Sequence, residues 1–404
     1  MLLKLRRLEL LKEKKYYHDY CTGCGLCCQF SAQTYMRMEA DGFLYPDFND
    51  ENILTICRDV CPVNGNEVNY LSNKEIWGHY INTYLGWSTD EKIRFVASSG
   101  GTITTLCSFL LDSKKVDGII QFAGSSSDVT FGKVYCTTET KELIERCGSR
   151  YCSSCVFQNF SEYLMDDNTY AFIGKPCDVR VLHNFLQKHP TYKNKFKYVI
   201  SFFCAGASSE NANLLLLKKL NCNKKEECTK RQYRGNGWPG YAIAWNGDAV
   251  IGQIDYQSCW KNTLGRDIRK ICRFCIDGVG ELADISCGDA WYINDGVPDF
   301  SEHDGRNIIF TRTIKGEQLL LEAVQNGYIV VKSDVSFEKL KAAQRYQFLR
   351  KAAMKYRILA LKVTLRKSPK YPLRFFGNFN QLITTKEKVK IFYGTVKRIV
   401  QGKI

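Results

Sequence analysis

Tyr170-Ala-Phe-Ile-Gly-Lys-Pro-Cys177 runs four strand-type residues into a Gly-Lys-Pro turn, and Asp178 after it can cap a helix through Gln187. The pattern recurs at Tyr198–Phe203, which ends at Cys204-Ala-Gly206 ahead of a helix-like run over about Glu210–Leu220. Each strand delivers a cysteine at its C-terminal edge, the edge where open α/β sheets bind ligands. Upstream, Ala97-Ser-Ser-Gly-Gly101 reads as a loop before a helix from Thr102 to about Leu111, with a strand at Asp117–Phe122. Downstream, Asn221–Thr229 is a polar loop, Tyr233–Gly240 is turn-rich, and a strand pair is expected around Tyr241–Ile254. A strand at Arg306–Arg312, a helix at Gly316–Gln325 and a strand at Tyr328–Lys332 complete the alternation, so the class expected is α/β (α+β) with a mixed sheet.

The chain has 404 residues, 45% hydrophobic and 25% charged, which excludes a disordered tail protein and a polytopic membrane protein. Its mean hydropathy is −0.28. No window approaches a transmembrane span, and charges interrupt the first residues, so a cytoplasmic protein is expected. Charge is unevenly placed. From Lys339 to Ile404 there are 18 Lys and Arg against one acid, Glu387, while the whole chain carries +15. Apolar residues interleave with the basic ones, as in Arg357–Arg366 and Lys390–Arg398. Such a tail reads as a solvated helical extension, or as a surface for docking the inner face of a membrane or a protein; nucleic acid is the least favoured partner.

The 19 cysteines are clustered, and short CxxC spacings in a chain this long point to metal ligation rather than to a secreted disulfide framework. After a polar helix over about Leu2–Lys15, a cysteine-rich, loop-like stretch extends to about Asn69. Cys21-Thr-Gly-Cys24-Gly-Leu-Cys27 matches the opening of the bacterial ferredoxin run, and its Cys-Pro follows later as Cys61-Pro62. Two-residue gaps aim successive thiolates at adjacent irons of a cubane, so a [4Fe-4S] centre on Cys21, Cys24, Cys27 and Cys61 is expected. Zinc and plain structural thiols are the alternatives. Cys28 and Cys57 are spare, and spacing alone leaves open whether Cys57 replaces Cys61.

Cys272-Arg-Phe-Cys275, joined to the strand-end cysteines Cys177 and Cys204, makes four thiolates that one α/β domain could bring together. Taken in order, Cys21-Thr-Gly-Cys24-Gly, Ala97–Gly101, Gly148-Ser-Arg-Tyr151, Gly174-Lys-Pro-Cys177, Phe203-Cys204-Ala-Gly206 and Cys272 through Ala283-Asp284 to Gly288-Asp289 resemble the coenzyme F420 hydrogenase/dehydrogenase beta-subunit family over roughly residues 18–335. The resemblance implies a protein that binds FAD and [4Fe-4S] clusters and passes electrons between ferredoxin-like donors and an organic acceptor. It also implies a second cluster on Cys177, Cys204, Cys272 and Cys275.

The FAD site implied uses Ser98, Ser99, Gly100, Gly101 and Thr102, where glycines at a helix start expose amide donors suited to a pyrophosphate. Gly148, Ser149, Arg150 and Tyr151 would add charge and stacking, although an exposed Arg-Tyr pair is the ordinary reading of that dipeptide. Lys175 faces either the flavin, an anionic substrate, or solvent as a turn lysine. Cys147-x4-Cys152-x2-Cys155 has plant-type [2Fe-2S] spacing, but a third cluster or a redox disulfide is the lesser reading of a stretch the family uses for flavin contacts. Cys287 is a substitute ligand or a buried thiol. No GxGxxG is expected after a strand, no P-loop or HExxH is present, and no CxxxCxxC is completed.

The expectation is therefore a ferredoxin-like iron–sulfur segment at 1–75, a flavin- and cluster-binding domain at 76–335 and a basic helical extension at 336–404. Its function would be an iron–sulfur flavoprotein oxidoreductase delivering electrons to coenzyme F420 or to another small-molecule or conjugate acceptor. The rivals are a non-enzymatic electron-transfer subunit for a partner enzyme and a zinc-stabilised nucleic-acid-binding protein.

Overall fold

The computed structural model describes residues 2–404 apart from 31–34, 48–50, 73, 126 and 333–334, so parts of the expected N-terminal loop lie outside the described residues. Eight strands form the main sheet: β1 (Asn82–Ser88), β2 (Gly118–Gly124), β3 (Gly132–Thr137), β4 (Tyr170–Gly174), β5 (Phe196–Phe202), β6 (Ile285–Asp289), β7 (Asn307–Thr311) and β8 (Ile329–Lys332). Their spatial order is β8-β1-β7-β6-β5-β4-β2-β3. β2, β4, β5 and β6 pair in parallel at the centre, and antiparallel pairing of β3 on one side and β7, β1 and β8 on the other makes the sheet mixed.

Ten helices matter to the site: α1 (Leu2–Tyr20), α2 (Glu51–Val60), α3 (Thr102–Asp112), α4 (Pro176–Lys188), α5 (Glu210–Lys219), α6 (Ile314–Gln325), α7 (Phe337–Ala343), α8 (Arg345–Ala352), α9 (Met354–Val363) and α10 (Thr385–Val400). The central strands are largely apolar, as strands covered on both sheet faces are. Neighbouring residues on a strand point to opposite faces. Ile119 and Ala171 therefore pack with Leu106 and Leu110 of α3 and Leu319 and Leu320 of α6. Ile120 and Phe172 join Phe157, Phe160 and Phe185 on the other side.

Several local expectations are corrected. The helix after Cys177 begins at Pro176, where a proline costs no hydrogen bond, and Asp178 sits one turn in, accepting from the Lys175 amide at 3.0 Å. α1 continues past Lys15 to Tyr20 because Tyr16, Tyr17 and Tyr20 are buried there, Tyr16 donating to the Val63 carbonyl at 2.6 Å. The stretch expected as loop contains α2, whose Ile53, Leu54, Cys57 and Val60 are buried. The pair at Tyr241–Asn246 and Ala249–Asp255 gains a third strand, Lys230–Gln232, too polar and short to read from sequence.

The basic C-terminal segment packs into the body. Phe348, Ala352, Met354, Ile358, Leu361, Phe376 and Ile399 share one core with Tyr20, Trp77, Phe274 and Phe310. Within Arg357–Arg366, Ile358, Ala360 and Leu361 are thus packed into this protein's own core, while Val363 and Leu365 stay exposed. Among the described residues no helix is long and apolar enough to cross a membrane.

Candidate functional site

The C-terminal ends of the parallel strands open into a cavity of about 250 Å³. Its floor is made by Ile173-Gly174-Lys175, Phe202-Phe203-Cys204 and Cys287-Gly288-Asp289, and Asn307 of antiparallel β7 reaches the same edge from its N-terminus. Two loops form the rim. Ser98, Ser99, Gly101 and Thr102 come from the start of α3, and Gly148, Ser149, Arg150 and Tyr151 from the loop beyond β3. Ser98 Oγ accepts from the Ser149 amide at 2.5 Å, which ties the loops together. Gly101 adopts a left-handed φ of 77°, the turn that feeds the chain into α3. Gly100 does not line the cavity. It lies under the loop, where an added Cβ would approach Arg306 Cα and Asn307 Oδ1 at 2.8 Å, and its carbonyl accepts from the Ser88 amide at 2.8 Å.

The cavity has donors to spare. Thr102 Oγ1 and Arg150 Nε are buried without a hydrogen-bond partner, and Arg150 lies flat over Gly124, where a Cβ would meet its Nη2 at 2.9 Å. A phosphate oxygen is the kind of acceptor that would satisfy such groups at a helix N-terminus. Tyr151 is not exposed: its ring packs against Trp260 and Tyr233 with centroids 4.8 and 5.4 Å away. Lys175 is no surface lysine either. Its ammonium contacts Asp178 Oδ2 at 2.7 Å and the Ser154 hydroxyl, and although burial acts to lower its pKa, Asp178 and the neighbouring Cys177 hold it above its ordinary value.

One pair escaped the sequence reading. Arg234 grips Asp289 in a two-pronged contact at 2.9 and 3.0 Å, and Trp238 Nε1 donates to the same carboxylate at 3.1 Å. Both charged residues line the cavity. The only hint in the sequence was an arginine inside the turn-rich Tyr233–Gly240 segment.

Behind this cavity lies a smaller one walled by Cys177, Cys204, Cys272 and Cys275. The two cavities share Lys175, Cys204, Gly206 and Ala207. Cys177 enters at the first turn of α4, Cys204 just beyond β5, and the CxxC pair from a short helical turn at Lys270–Phe274. Cys272 Sγ accepts from the Ala207 amide at 3.5 Å. Arg350 of α8 closes the far wall, its guanidinium donating to the Cys204 carbonyl at 2.8 Å beside Gln347 at 3.0 Å. Burial pushes the Cys204 thiol up to about 12, so without a metal it stays protonated at neutral pH.

A third cavity is walled by Cys21, Cys24, Cys27, Cys57 and Cys61, and Thr22 lines both it and the second. Gly23 and Gly25 take left-handed φ of 78° and 85°, which lets the Cys21–Cys27 loop coil around the space. The Cys57 thiol is within hydrogen-bond reach of both Cys27 and Cys61. Burial pushes Cys24 up to about 12 as well. Arg269 fastens the loop from the main domain through the carbonyls of Cys21 and Leu44 at 3.3 and 2.9 Å.

Among the described residues, Cys147, Cys152 and Cys155 do not gather around one cavity. Cys28 touches Cys27 but is not part of the cavity wall. Cys147 and Cys152 line the large cavity, whereas Cys155 packs on the first cysteine loop, its Sγ 2.1 Å from where a Cβ on Gly25 would sit. Cys287 is a buried sheet thiol on β6, with its pKa raised to about 12 by burial. Among the described residues no three His, Cys, Asp or Glu side chains converge tightly enough to hold one metal ion.

Residues 83–159 match the family described as coenzyme F420 hydrogenase/dehydrogenase, beta subunit N-term, and residues 167–336 match the family describing the C terminus of that same beta subunit. The F420-dependent formate dehydrogenase subunit beta of Methanocaldococcus jannaschii is 25% identical over 250 residues, 61% of this chain and 60% of that protein. The coenzyme F420 hydrogenase subunit beta of Methanococcus voltae is 23% identical over 263 residues, covering 64% of this chain and 86% of the relative. The match thus spans less than two thirds of the formate dehydrogenase protein's length. A chain from the xenon-derivatised F420-reducing [NiFe] hydrogenase complex of Methanosarcina barkeri superposes with a TM-score of 0.54 at 20% identity, over 71% of this chain and 94% of that one. With both halves of the family matched in order along the sheet and its cavity, the chain belongs to the coenzyme F420 hydrogenase/dehydrogenase beta-subunit family.

Proposed function

We propose that this protein is an iron–sulfur flavoprotein oxidoreductase in which electrons move between a ferredoxin-like partner and an organic acceptor, coenzyme F420 or another molecule of that kind. One observation carries the reading: three cavities stand in series with shared wall residues, the large one, then four thiols, then five. A polynuclear centre suits the thiol sets better than zinc does, because tetrahedral zinc at about 2.3 Å from each sulfur would hold thiolates in mutual contact. The four thiols of the second cavity stand around its wall, while in the third cavity Cys57 contacts Cys27 and Cys61, and among the described residues no three of the thiols grip a point.

FAD, when bound, exchanges electrons singly with iron–sulfur centres and in pairs with an organic acceptor. The chain's own residues do the rest. Thr102, Arg150 and the α3 amides offer donors for its phosphates. Lys175, held charged by Asp178, supplies a fixed cation at the wall between the large cavity and the four thiols. The Arg234–Asp289 pair is locked by two hydrogen bonds and by Trp238, so it orients the rim without becoming a free charge. Four cysteines would hold one cluster as Cys177, Cys204, Cys272 and Cys275, and Cys21, Cys24, Cys27 with Cys61 or Cys57 would hold the other. Loading either set draws protons off buried thiols, so assembly should be favoured by raising pH. Because relatives are named as subunits, transfer to or from a partner enzyme is the second reading.

Anaerobic purification followed by iron, sulfide, zinc and flavin analysis tests this directly. Roughly eight irons and one FAD per chain are expected, and Cys272→Ser should remove about half of the iron while the other centre stays in place. Iron unchanged by that substitution rejects the second ligand set; a colourless, zinc-bearing protein rejects the whole reading.

A further inference from the structure

We propose that the C-terminal helices build a separate anion site that takes a phosphate group, at the point where Arg273, Arg357 and Arg398 converge. The three arginines line a cavity of about 190 Å³ together with Tyr346, Thr395, Phe274 and Ile404. It shares no residue with the three cavities described above. Arg357 belongs to α9 and Arg398 to α10, both beyond the family-matched residues, and Arg273 lies inside the Cys272–Cys275 turn.

Among the described residues these arginines hydrogen-bond to carbonyls and form no ion pair. Arg273 Nη2 donates to Arg266 at 3.0 Å, Arg357 Nη1 to Arg273 at 2.8 Å and Arg398 Nη1 to Gly394 at 3.1 Å. The Nε groups of Arg273 and Arg357 are buried with no acceptor. Asp267 is an acid that reaches toward Arg273 and offsets part of its charge, while its Oδ2 also accepts from the Ser209 hydroxyl. Burial pulls the Arg357 pKa down to about 10; Tyr346 acts against the shift, and repulsion from Arg350, Arg398 and Arg273 adds to it.

Converging like charges and orphaned donors both cost free energy, and an anion relieves both at once. A phosphate group fits better than a lone carboxylate: it carries close to two charges near neutral pH, and its tetrahedral oxygens can meet guanidiniums arriving from three elements. The space is a pocket opening beside exposed Tyr346 and Arg398, not a groove, so it suits one head group rather than a polymer or a bilayer. Inorganic phosphate and a phosphate monoester share this chemistry.

Isothermal titration of the full chain, in phosphate-free buffer at fixed low ionic strength, tests the site with inorganic phosphate and with glycerol 3-phosphate. Saturable 1:1 binding is expected. Arg398→Gln should weaken it by roughly tenfold, and Arg398→Glu should abolish it by placing a carboxylate on the pocket. Lys390→Gln, exposed on the same helix, should leave affinity unchanged. Arg357→Gln should lose more than Arg398→Gln; should its melting curve show that it fails to fold, the two exposed Arg398 variants decide the matter. Equal or tighter binding of the monoester identifies a phosphorylated ligand, and binding of inorganic phosphate alone identifies the free ion. No saturable binding of either probe, or equal weakening by Arg398→Gln and Lys390→Gln, overturns the proposal.

Discussion

Cys57 and Cys61 stand one turn apart at the end of α2, and the Cys57 thiol bridges toward both Cys27 and Cys61. The CxxCxxC spacing made Cys21, Cys24 and Cys27 legible, but a ligand one helical turn from another cannot be separated by counting residues. Cys28 is a different case. It contacts Cys27 but is absent from the cavity wall, so Cys28→Ala should leave iron content unchanged, whereas Cys24→Ala should cost about half of it. Iron analysis of the two variants, prepared side by side without air, checks the assignment. Lys175 shows the reverse: as a residue in a Gly-Lys-Pro turn it read as readily for solvent as for a ligand, and only its placement between Asp178 and Ser154 reveals a buried cation.

Among the secondary-structure elements, the strand–turn–helix units were readable because buried parallel strands are continuous apolar runs and their helices carry a 3.6-residue stripe. α2 was not, since its four buried residues lie among polar ones and a cysteine-rich context suggested a loop. The contact between α6 and the antiparallel edge also depends on pairing invisible in sequence. Glu317 of α6 accepts from Asn82 at 2.9 Å and from Tyr84 at 2.5 Å on β1, and from the Thr311 hydroxyl on β7. Burial alone would raise its pKa, but these three hydrogen bonds hold it below the ordinary glutamate value. The folded form therefore favours the ionised carboxylate, and this contribution is present above the unfolded pKa and lost as pH falls through the folded one. Glu317→Gln should cost about 1–2 kcal/mol at neutral pH. Denaturant melts in the acid range should show the gap from wild type narrowing as pH drops below the usual glutamate value; a constant gap would remove Glu317 from the account.

Across the protein as a unit, the C-terminal segment matters most. Its composition suggested a basic extension, yet α8 places Arg350 against the Cys204 carbonyl and in the wall of the four-thiol cavity. A buried cation there stabilises the more negative, reduced state of any cluster bound. Arg350→Gln should therefore shift the potential of a cluster held there on the order of 50 mV more negative, as expected for loss of one nearby charge at intermediate dielectric. Spectroscopically monitored redox titration measures this, and the N-terminal centre serves as internal reference. The alternation of strand and helix, the two cysteine sets and the family could all be read from the residues in order, because hydrophobic period and short-range ligand spacing are local properties. Packing in three dimensions was needed to learn that five thiols share the third cavity, that Arg234 pairs with Asp289, and that tail residues wall the second cavity and gather three arginines. Those are contacts between residues tens to hundreds of positions apart, set by how the helices and the sheet pack, and no local pattern encodes them.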